Sequence, residues 1–141
     1  MNVLFDTCVI IDALQQRVPF CEEANQLFFA VGNQIITGYI SAKSLTDIYY
    51  LTHKNLHNEK DTRTLLKNLL SVFYLLDTTS NDCFNALSSP MKDYEDAIMA
   101  ETAKREKVDC IVTRNVKDYS DSGIRVFTPQ ELLAVINADA E

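Results

Sequence analysis

The feature that most constrains the fold of this sequence is a regular alternation of short apolar runs with longer segments of helical periodicity. The apolar runs are NVLF at residues 2–5, QIITGYI at 34–40, FYLLD at 73–77, DCIVT at 109–113 and IRVFT at 124–128. Each is rich in β-branched or aromatic residues, which suit a buried strand. Strands separated by helices pair in parallel and carry helices on both faces. We therefore predict an α/β chain, a three-layer α/β/α sandwich around a parallel sheet of about five strands.

Helical patterns fill the intervals between these runs. They cover residues 9–17, 20–31, 41–56, 59–73, a segment that starts around 79–82, 93–107 and a last helix from 128. Thr128 and Glu131 have the spacing of a capping box, and Pro129 suits the first helical position. No repeat or flexible linker interrupts the order. With 141 residues, the chain is predicted to be one domain, 1–141.

Composition narrows the class of protein. Apolar residues make up 47% and charged residues 23%, which is ordinary for a folded globule. No apolar run approaches the roughly 18 residues that span a bilayer, and the start lacks a basic signal region. The four cysteines show neither zinc-site nor disulfide spacing. We expect a cytoplasmic protein with reduced thiols and no membrane partner.

The charge of the chain limits how it would bind nucleic acid. Lysine and arginine total 13 against 20 aspartates and glutamates, which gives a net charge of −7. Proteins that bind nucleic acid through charge alone are normally basic. A nuclease with this composition therefore needs a bound cation to bring phosphate to its site.

Acidic residues recur where the predicted strands end. They are Asp6, Asp47, Asp93, Asp96 and Asp118. In an open parallel sheet the functional crevice lies at the carboxyl ends of the strands, so these side chains are expected on one rim. Each also has a local alternative: Asp6 as a helix N-cap, Ser44 with Asp47 as a capping box, and Asp93 with Asp96 as N-cap and third residue.

Helix capping is a plausible explanation for any one of these carboxylates. It is a less plausible explanation for all of them together. Carboxylates gathered within a few ångströms repel and raise one another's pKa unless a cation neutralises them. Hard divalent ions prefer oxygen ligands, so a cluster without histidine points to Mg²⁺ or Mn²⁺. Phosphodiester hydrolysis is the chemistry that such a site supports.

Four stretches carry a resemblance to a known family. They are VLFDTCVIIDAL, GYISAKSLTDIYYL, DYEDAIMAETAKREKVDCIVTRNVKDY and VFTPQELL. The third is the most specific, because D-x-E-D-A is followed about twenty residues later by V-T-R-N-x-x-D-Y. Along nearly its whole length the chain resembles a PIN domain, the nuclease fold of VapC-type toxins.

The resemblance implies a set of site residues. Asp6 and Asp96 match the principal metal ligands, Asp47 stands where the family usually has glutamate, and Asn115 stands where many members have a fourth aspartate. Asp118 matches the acid that often follows. The resemblance also gives Thr113 the role of orienting water or a carboxylate, and Asp93 an outer position. Among nearby cations, Lys43, Arg114 and Lys117 are candidates to hold substrate phosphate, with Arg114 best placed.

The activity implied by the resemblance is metal-assisted RNA hydrolysis that leaves 5′ phosphate and 3′ hydroxyl ends. The partners implied are an RNA substrate, a small antitoxin protein and a second copy of the chain. The helical stretch between roughly Ile48 and Phe73 offers apolar surface for association. Asp47 and Asn115 depart from the family pattern, so occupancy by one ion rather than two is an open alternative.

Other functions remain open at this stage. A catalytically degenerate PIN domain that only binds RNA or protein, and an orphan RNA-processing nuclease, would have the same sequence features. A phosphate-accepting receiver domain is disfavoured, because the last strand offers no lysine after it. His53 and His57 share a helix face, but HKNLH lacks the glutamate of the H-E-x-x-H zinc motif, so a solvated face is the preferred interpretation.

Overall fold

Five parallel strands form the centre of the protein in a computed structural model that describes residues 1–140. They are β1 (Asn2–Phe5), β2 (Thr37–Ser41), β3 (Tyr74–Leu76), β4 (Cys110–Val112) and β5 (Val126–Phe127). The sheet order is β3-β2-β1-β4-β5, and every neighbouring pair is parallel. The predicted parallel sheet of five strands is confirmed.

Helices connect the strands and cover both faces of the sheet. They are α1 (Thr7–Leu14), α2 (Cys21–Gly32), α3 (Ala42–Leu56), α4 (Glu59–Leu69), α5 (Ser80–Ala86), α6 (Tyr94–Glu106) and α7 (Pro129–Ala140), with a 3₁₀ turn at Val116–Tyr119. None of the helices within residues 1–140 is both long and apolar enough to cross a membrane. All four cysteines are free thiols, as predicted.

The alternation of side chains along β1 divides the core into two layers. Val3 and Phe5 face a cluster built with α1, α2, α3, α4 and α7, while Leu4 faces a second cluster built with α5 and α6. The same division holds on β4, where Val112 belongs to the first cluster and Ile111 to the second. This period of two is what a strand covered on both faces requires.

Two local predictions differ from the structure. The fifth strand is only Val126–Phe127, so the flanking residues of IRVFT lie outside regular pairing. The helix after β2 is capped by Ser41, whose hydroxyl accepts from the Ser44 backbone N–H at 3.1 Å. The prediction of a capping box from Ser44 to Asp47 is therefore wrong, because the helix begins one turn earlier than that motif requires.

Candidate metal centre at the carboxyl end of the sheet

Asp6 stands directly after the central strand and has two contacts. Its Oδ1 accepts from the Thr7 backbone N–H at 2.8 Å, which makes it the N-cap of α1. Its Oδ2 accepts from the Thr113 hydroxyl at 2.8 Å, across 107 residues of sequence. The capping role that the sequence offered is therefore present, and the same carboxylate is also in contact with Thr113 on the neighbouring strand's end.

Thr113 is placed beside Asp6 by the sheet register. Phe5 of β1 pairs with Val112 of β4, and the next residue on each strand is Asp6 and Thr113. Thr113 is fully buried, and its Oγ1 also accepts from the Asn115 backbone N–H at 3.1 Å. This hydroxyl therefore fixes both the Asp6 carboxylate and the start of the following loop.

Asp96 approaches the same rim from the first turn of α6. The Asp93 side chain caps that helix by accepting from the Asp96 N–H at 2.9 Å, as the capping alternative predicted. The Asp96 carboxylate instead accepts from the Tyr119 hydroxyl, with Oδ1 at 3.3 Å. Burial and the charges of Asp6 and Asp96 raise the pKa of the Tyr119 phenol, which keeps it a proton donor.

The electrostatics of the rim show that Asp6, Asp96 and Asp118 act on one another, and we call these three the carboxylate cluster. Desolvation and then the charges of Asp6, Asp93 and Asp118 raise the pKa of Asp96 to about 6. Burial, with a contribution from Asp118, also raises the pKa of Asp6 against the hydrogen bonds from Thr113 and Thr7. The cluster therefore holds negative charge that the protein leaves uncompensated, which favours a bound cation.

The donor set fits a hard divalent ion in kind. Carboxylate oxygens are the ligands that Mg²⁺ and Mn²⁺ prefer, and the cluster contains neither histidine nor thiol. Within residues 1–140, no three acidic, histidine or cysteine side chains are already drawn together around one point. Asp6 instead accepts hydrogen bonds from a backbone N–H and a hydroxyl, and Asp96 accepts one from a hydroxyl.

Asp47 lies further out on the same rim, paired with a lysine. Its Oδ2 is 2.6 Å from Lys43 Nζ, one helical turn earlier on α3, and the same ammonium is 3.6 Å from Glu95. Partial burial alone would lower the pKa of Lys43. The hydrogen bond and the charge of Asp47 outweigh this effect and raise that pKa. Lys43 therefore links α3 to the start of α6 beside the cluster.

Asn115 and Asp118 come from the loop after β4, which forms the 3₁₀ turn. Asn115 precedes the turn and its carbonyl accepts from the Asp118 N–H at 3.0 Å. Both side chains are exposed, whereas Tyr119 of the same turn is only 2% exposed. The buried tyrosine thus anchors a loop that presents an amide and a carboxylate to solvent at the rim.

Arg114 is engaged in a contact that the sequence did not reveal. Its Nε donates to Asp12 Oδ2 at 2.6 Å, and its guanidinium carbon lies 4.0 Å from the centre of the Phe20 ring. Asp12 is only 1% exposed, and the arginine supplies its compensating charge. Any contact of Arg114 with substrate phosphate therefore has to coexist with this buried ion pair.

Sequence reasoning missed two residues of this site, Tyr119 and Asp12. Tyr119 carries a signal, because an aromatic residue in the polar loop RNVKDYSDSG needs a reason to be there. Asp12 also carries one, because it is the single charge within VIIDAL, where a buried partner is required. Neither signal identifies the partner, which the fold supplies from a distant segment.

The fold and this rim define a PIN domain. Residues 2–117 match the sequence profile of the PIN domain family, so the chain belongs to that family. Solved structures of VapC toxins and of toxin-antitoxin complexes share its fold. No protein with curated annotation matches the chain significantly in sequence.

Three solved structures illustrate the similarity. A toxin-antitoxin complex from Klebsiella pneumoniae is 28% identical, with a TM-score of 0.66 over 90% of this chain and 97% of that one. VapBC2 from Rickettsia felis, bound to a promoter DNA fragment, is 18% identical, with a TM-score of 0.68 over 91% and 98%. VapC20 of Mycobacterium tuberculosis, a sarcin-ricin loop cleaving toxin, is 10% identical, with a TM-score of 0.66 over 87% and 98%.

The raised pKa of Asp96 predicts an unusual pH dependence of stability. Between about pH 4 and 6 the folded protein keeps a proton that the unfolded chain has lost, so the free energy of unfolding falls as pH rises through this window. We expect the thermal midpoint of the metal-free protein to be higher at pH 5 than at pH 7.5. Calorimetry at both pH values measures it, and Asp96→Asn should reduce the difference. An equal or lower midpoint at pH 5 would contradict the assignment.

Proposed function

We propose that this protein is a cytoplasmic, metal-dependent endoribonuclease and the toxin of a toxin-antitoxin pair, with residues 1–141 forming one PIN domain. The observation that carries the proposal is the carboxylate cluster at the carboxyl end of the central strands. Membership of the PIN family and the similarity to toxin structures support the reaction class. The cofactor is Mg²⁺ or Mn²⁺, and the substrate is RNA.

The residues proposed to hold the metal are Asp6, Asp96 and Asp118, with Asp47 contributing from the outer part of the rim. A divalent ion at such a site lowers the pKa of a bound water and neutralises charge that develops on the phosphate. No nucleophilic side chain is required for this hydrolysis. The expected products carry 5′ phosphate and 3′ hydroxyl ends.

The protein's own contribution is to hold these ligands in fixed orientations. Thr113 donates to Asp6, and Tyr119 donates to Asp96, so both carboxylates are oriented by buried hydroxyl groups. Asn115 supplies an uncharged oxygen on the same loop, and Asp93 stabilises the start of the helix that carries Asp96. Lys43, next to the rim, is the proposed contact for a flanking phosphate.

The proposal is tested by incubating purified protein with a mixed RNA pool and Mn²⁺, with EDTA and Asp6→Asn as controls. We expect cleavage that needs the metal and is lost in the variant, and sequencing of the ends should show 5′ phosphate. RNA that binds tightly but stays intact would favour the second candidate, a degenerate PIN domain that acts as a binding module. That candidate is favoured by one observation, the engagement of Asp47 by Lys43.

Association with a second copy is part of the proposal. The segment 48–73 exposes Tyr50, Leu56 and Val72, with Tyr50 65% exposed, and these side chains offer apolar area for an interface. We expect a homodimer at micromolar concentration in sedimentation velocity. Tyr50→Glu should shift the species toward monomer, while Phe84→Glu, at a site on α5 that is 74% exposed, should not. A strict monomer would refute this part.

Replacing Asp47 by glutamate should tighten metal binding. Aspartate is one methylene, or about 1.5 Å, shorter than the residue the family usually has, and octahedral Mg²⁺ tolerates little displacement of its oxygen ligands. Because a misplacement of about 1 Å costs roughly 10²-fold in rate, we expect turnover to rise at low Mg²⁺. Titration calorimetry with Mn²⁺ measures the binding directly.

The matched control for this change is Lys43→Gln. It frees Asp47 from its 2.6 Å ion pair without adding reach. If reach is the limit, only Asp47→Glu improves the Mn²⁺ dissociation constant. If glutamate binds no better than aspartate, Asp47 either coordinates directly already or takes no part.

A further inference from the structure

A cavity of about 420 Å³ lies where the loop after β4 meets the starts of α2 and α7 and is not used by the proposed chemistry. Phe20, Glu23, Arg114, Pro129 and Gln130 are among its lining residues. The backbone connects this cavity to the carboxylate cluster. Arg114 lines the cavity, and the residue before it, Thr113, donates to Asp6. The Thr113 N–H also donates to the Phe127 carbonyl at 3.0 Å, and the next residue after Phe127 lines the same cavity.

The wall of this cavity is a stack of two flat groups. The guanidinium carbon of Arg114 is 4.0 Å from the Phe20 ring centre, and the Phe20 side chain is 42% exposed. Asp12 holds the guanidinium in place through Nε at 2.6 Å and Nη2 at 3.4 Å. Because Asp12 is only 1% exposed, the arginine is anchored from inside the protein and keeps a fixed orientation.

The charges of the lining select against phosphate. Asp12 neutralises Arg114, and Glu23 is an acidic residue among those that line the cavity, so the lining offers no net positive charge to an anion. It does offer flat apolar surface, with Glu23 as an acceptor and Gln130 as both donor and acceptor. A neutral, planar ligand with polar edges matches this combination.

We propose that this cavity is a subsite for an unpaired nucleobase of the RNA, next to the phosphate that is cleaved. Single-stranded RNA is recognised by splaying bases onto aromatic rings and arginine planes, with hydrogen bonds to their edges. Phe20 and Arg114 provide the stacking surface, and Glu23 and Gln130 face the base edge. The inference rests on the proposed function, because it assigns a substrate contact to that nuclease.

The test is a binding measurement on the full chain with Ca²⁺, which takes carboxylate ligands at longer distances than Mg²⁺ does, so that a cation is supplied for the phosphate while cleavage is disfavoured. The probes are fluorescein-labelled decamers, one of adenylate and one with the same ribose-phosphate backbone but no bases, read by fluorescence anisotropy. Stacking of one base on an aromatic side chain strengthens binding by about tenfold, so we expect the wild type to prefer the adenylate decamer by about tenfold or more. Phe20→Ala should abolish most of this preference and leave binding of the abasic decamer unchanged.

Two further variants control the interpretation. Phe29→Ala removes an exposed phenylalanine within α2, away from this cavity, and should keep the full preference for bases. Arg114→Lys keeps a cation for Asp12 but removes the flat surface, and should lose most of the preference. Thermal midpoints of all variants confirm that the chain is folded.

Each remaining outcome overturns the proposal in a distinct way. If the wild type cleaves RNA with Mn²⁺ but Phe20→Ala keeps the tenfold preference, the subsite is wrong and the nuclease assignment stands. If the wild type neither cleaves nor binds either decamer, both assignments fail. If Phe20→Ala leaves RNA binding intact but weakens binding of a copurified antitoxin, the cavity belongs to a protein partner instead.

Discussion

Replacing Asp96 by asparagine is expected to lower metal-dependent RNA cleavage by at least about 10²–10³-fold while leaving the metal-free protein equally or more stable. The loss follows because Asp96 is a proposed ligand of the cation that would stabilise charge on the reacting phosphate, and losing one such electrostatic contribution costs about 10²–10³-fold in rate. The stability change follows because Asp96 is repelled by Asp6, Asp93 and Asp118, which is part of why its pKa lies at about 6. Asp6→Asn should act in the same direction.

The matched control is Glu101→Gln on the same helix. Glu101 pairs with Lys104 at 3.5 Å and does not belong to the carboxylate cluster, so cleavage should stay within about twofold of the wild type. Initial rates in Mn²⁺ and differential scanning calorimetry in EDTA measure the two effects. Undiminished cleavage by both Asp6→Asn and Asp96→Asn would refute the site, and a large drop in their thermal midpoints would refute the repulsion.

A second large effect is expected on stability, from a contact far from the metal centre. Asp82, 2% exposed on α5, accepts from Arg105 Nε at 3.0 Å and from the Thr102 hydroxyl at 3.0 Å, both on α6. It also completes the Thr79 capping box by accepting from the Thr79 N–H. Burial alone would raise the pKa of Asp82. The hydrogen bonds from Arg105, Thr79 and Thr102 outweigh this effect and lower that pKa.

Asp82→Ala is therefore expected to reduce the free energy of unfolding by about 3 kcal/mol, the low end for breaking a buried pair, because Arg105 is partly exposed. For a chain of this size, that corresponds to a thermal midpoint lower by roughly 10 °C. Cleavage per folded molecule should be unchanged, because Asp82 does not touch the rim. Urea titration measures the free energy.

Two variants bracket this result. Asp82→Asn retains an oxygen for the cap and for Thr102 but loses the charge, so its cost should be smaller. Glu106→Ala removes the exposed partner of Arg105 and should cost less than about 1 kcal/mol. A cost for Asp82→Ala no greater than that for Glu106→Ala would show that the buried network contributes little.

Much of this architecture could be predicted because the local signals agree. The apolar runs and intervening helical patterns predicted the parallel sheet, and Thr128 with Glu131 forms the predicted capping box, with N···O distances of 2.9 and 3.1 Å. The order of the strands in the sheet could not be derived from the periodicity of apolar residues. A period of two residues shows which faces of a strand are buried, but it does not show which strands pair.

The side-chain partners at the site were harder to predict than its position. Arg114 follows a strand next to Thr113, and its sequence position made it a candidate to hold phosphate. Its contact with the buried Asp12, 102 residues away, was not predicted. Lys43 and Asp47 are four apart on a helix, so their ion pair was accessible from spacing. Contacts within a helical turn can be read from sequence, whereas contacts across the sheet depend on the fold.

The position of β1 in the middle of the sheet has a consequence during synthesis. Of the five strands, β1 is made before either of its neighbours, and it gains β2 at residues 37–41 and β4 only at residues 110–112. Thr113, which donates to Asp6, is made more than a hundred residues after it. A nascent chain that stops before β4 therefore lacks both Thr113 and the loop that carries Asp118, so the carboxylate cluster is assembled only once β4 has been made.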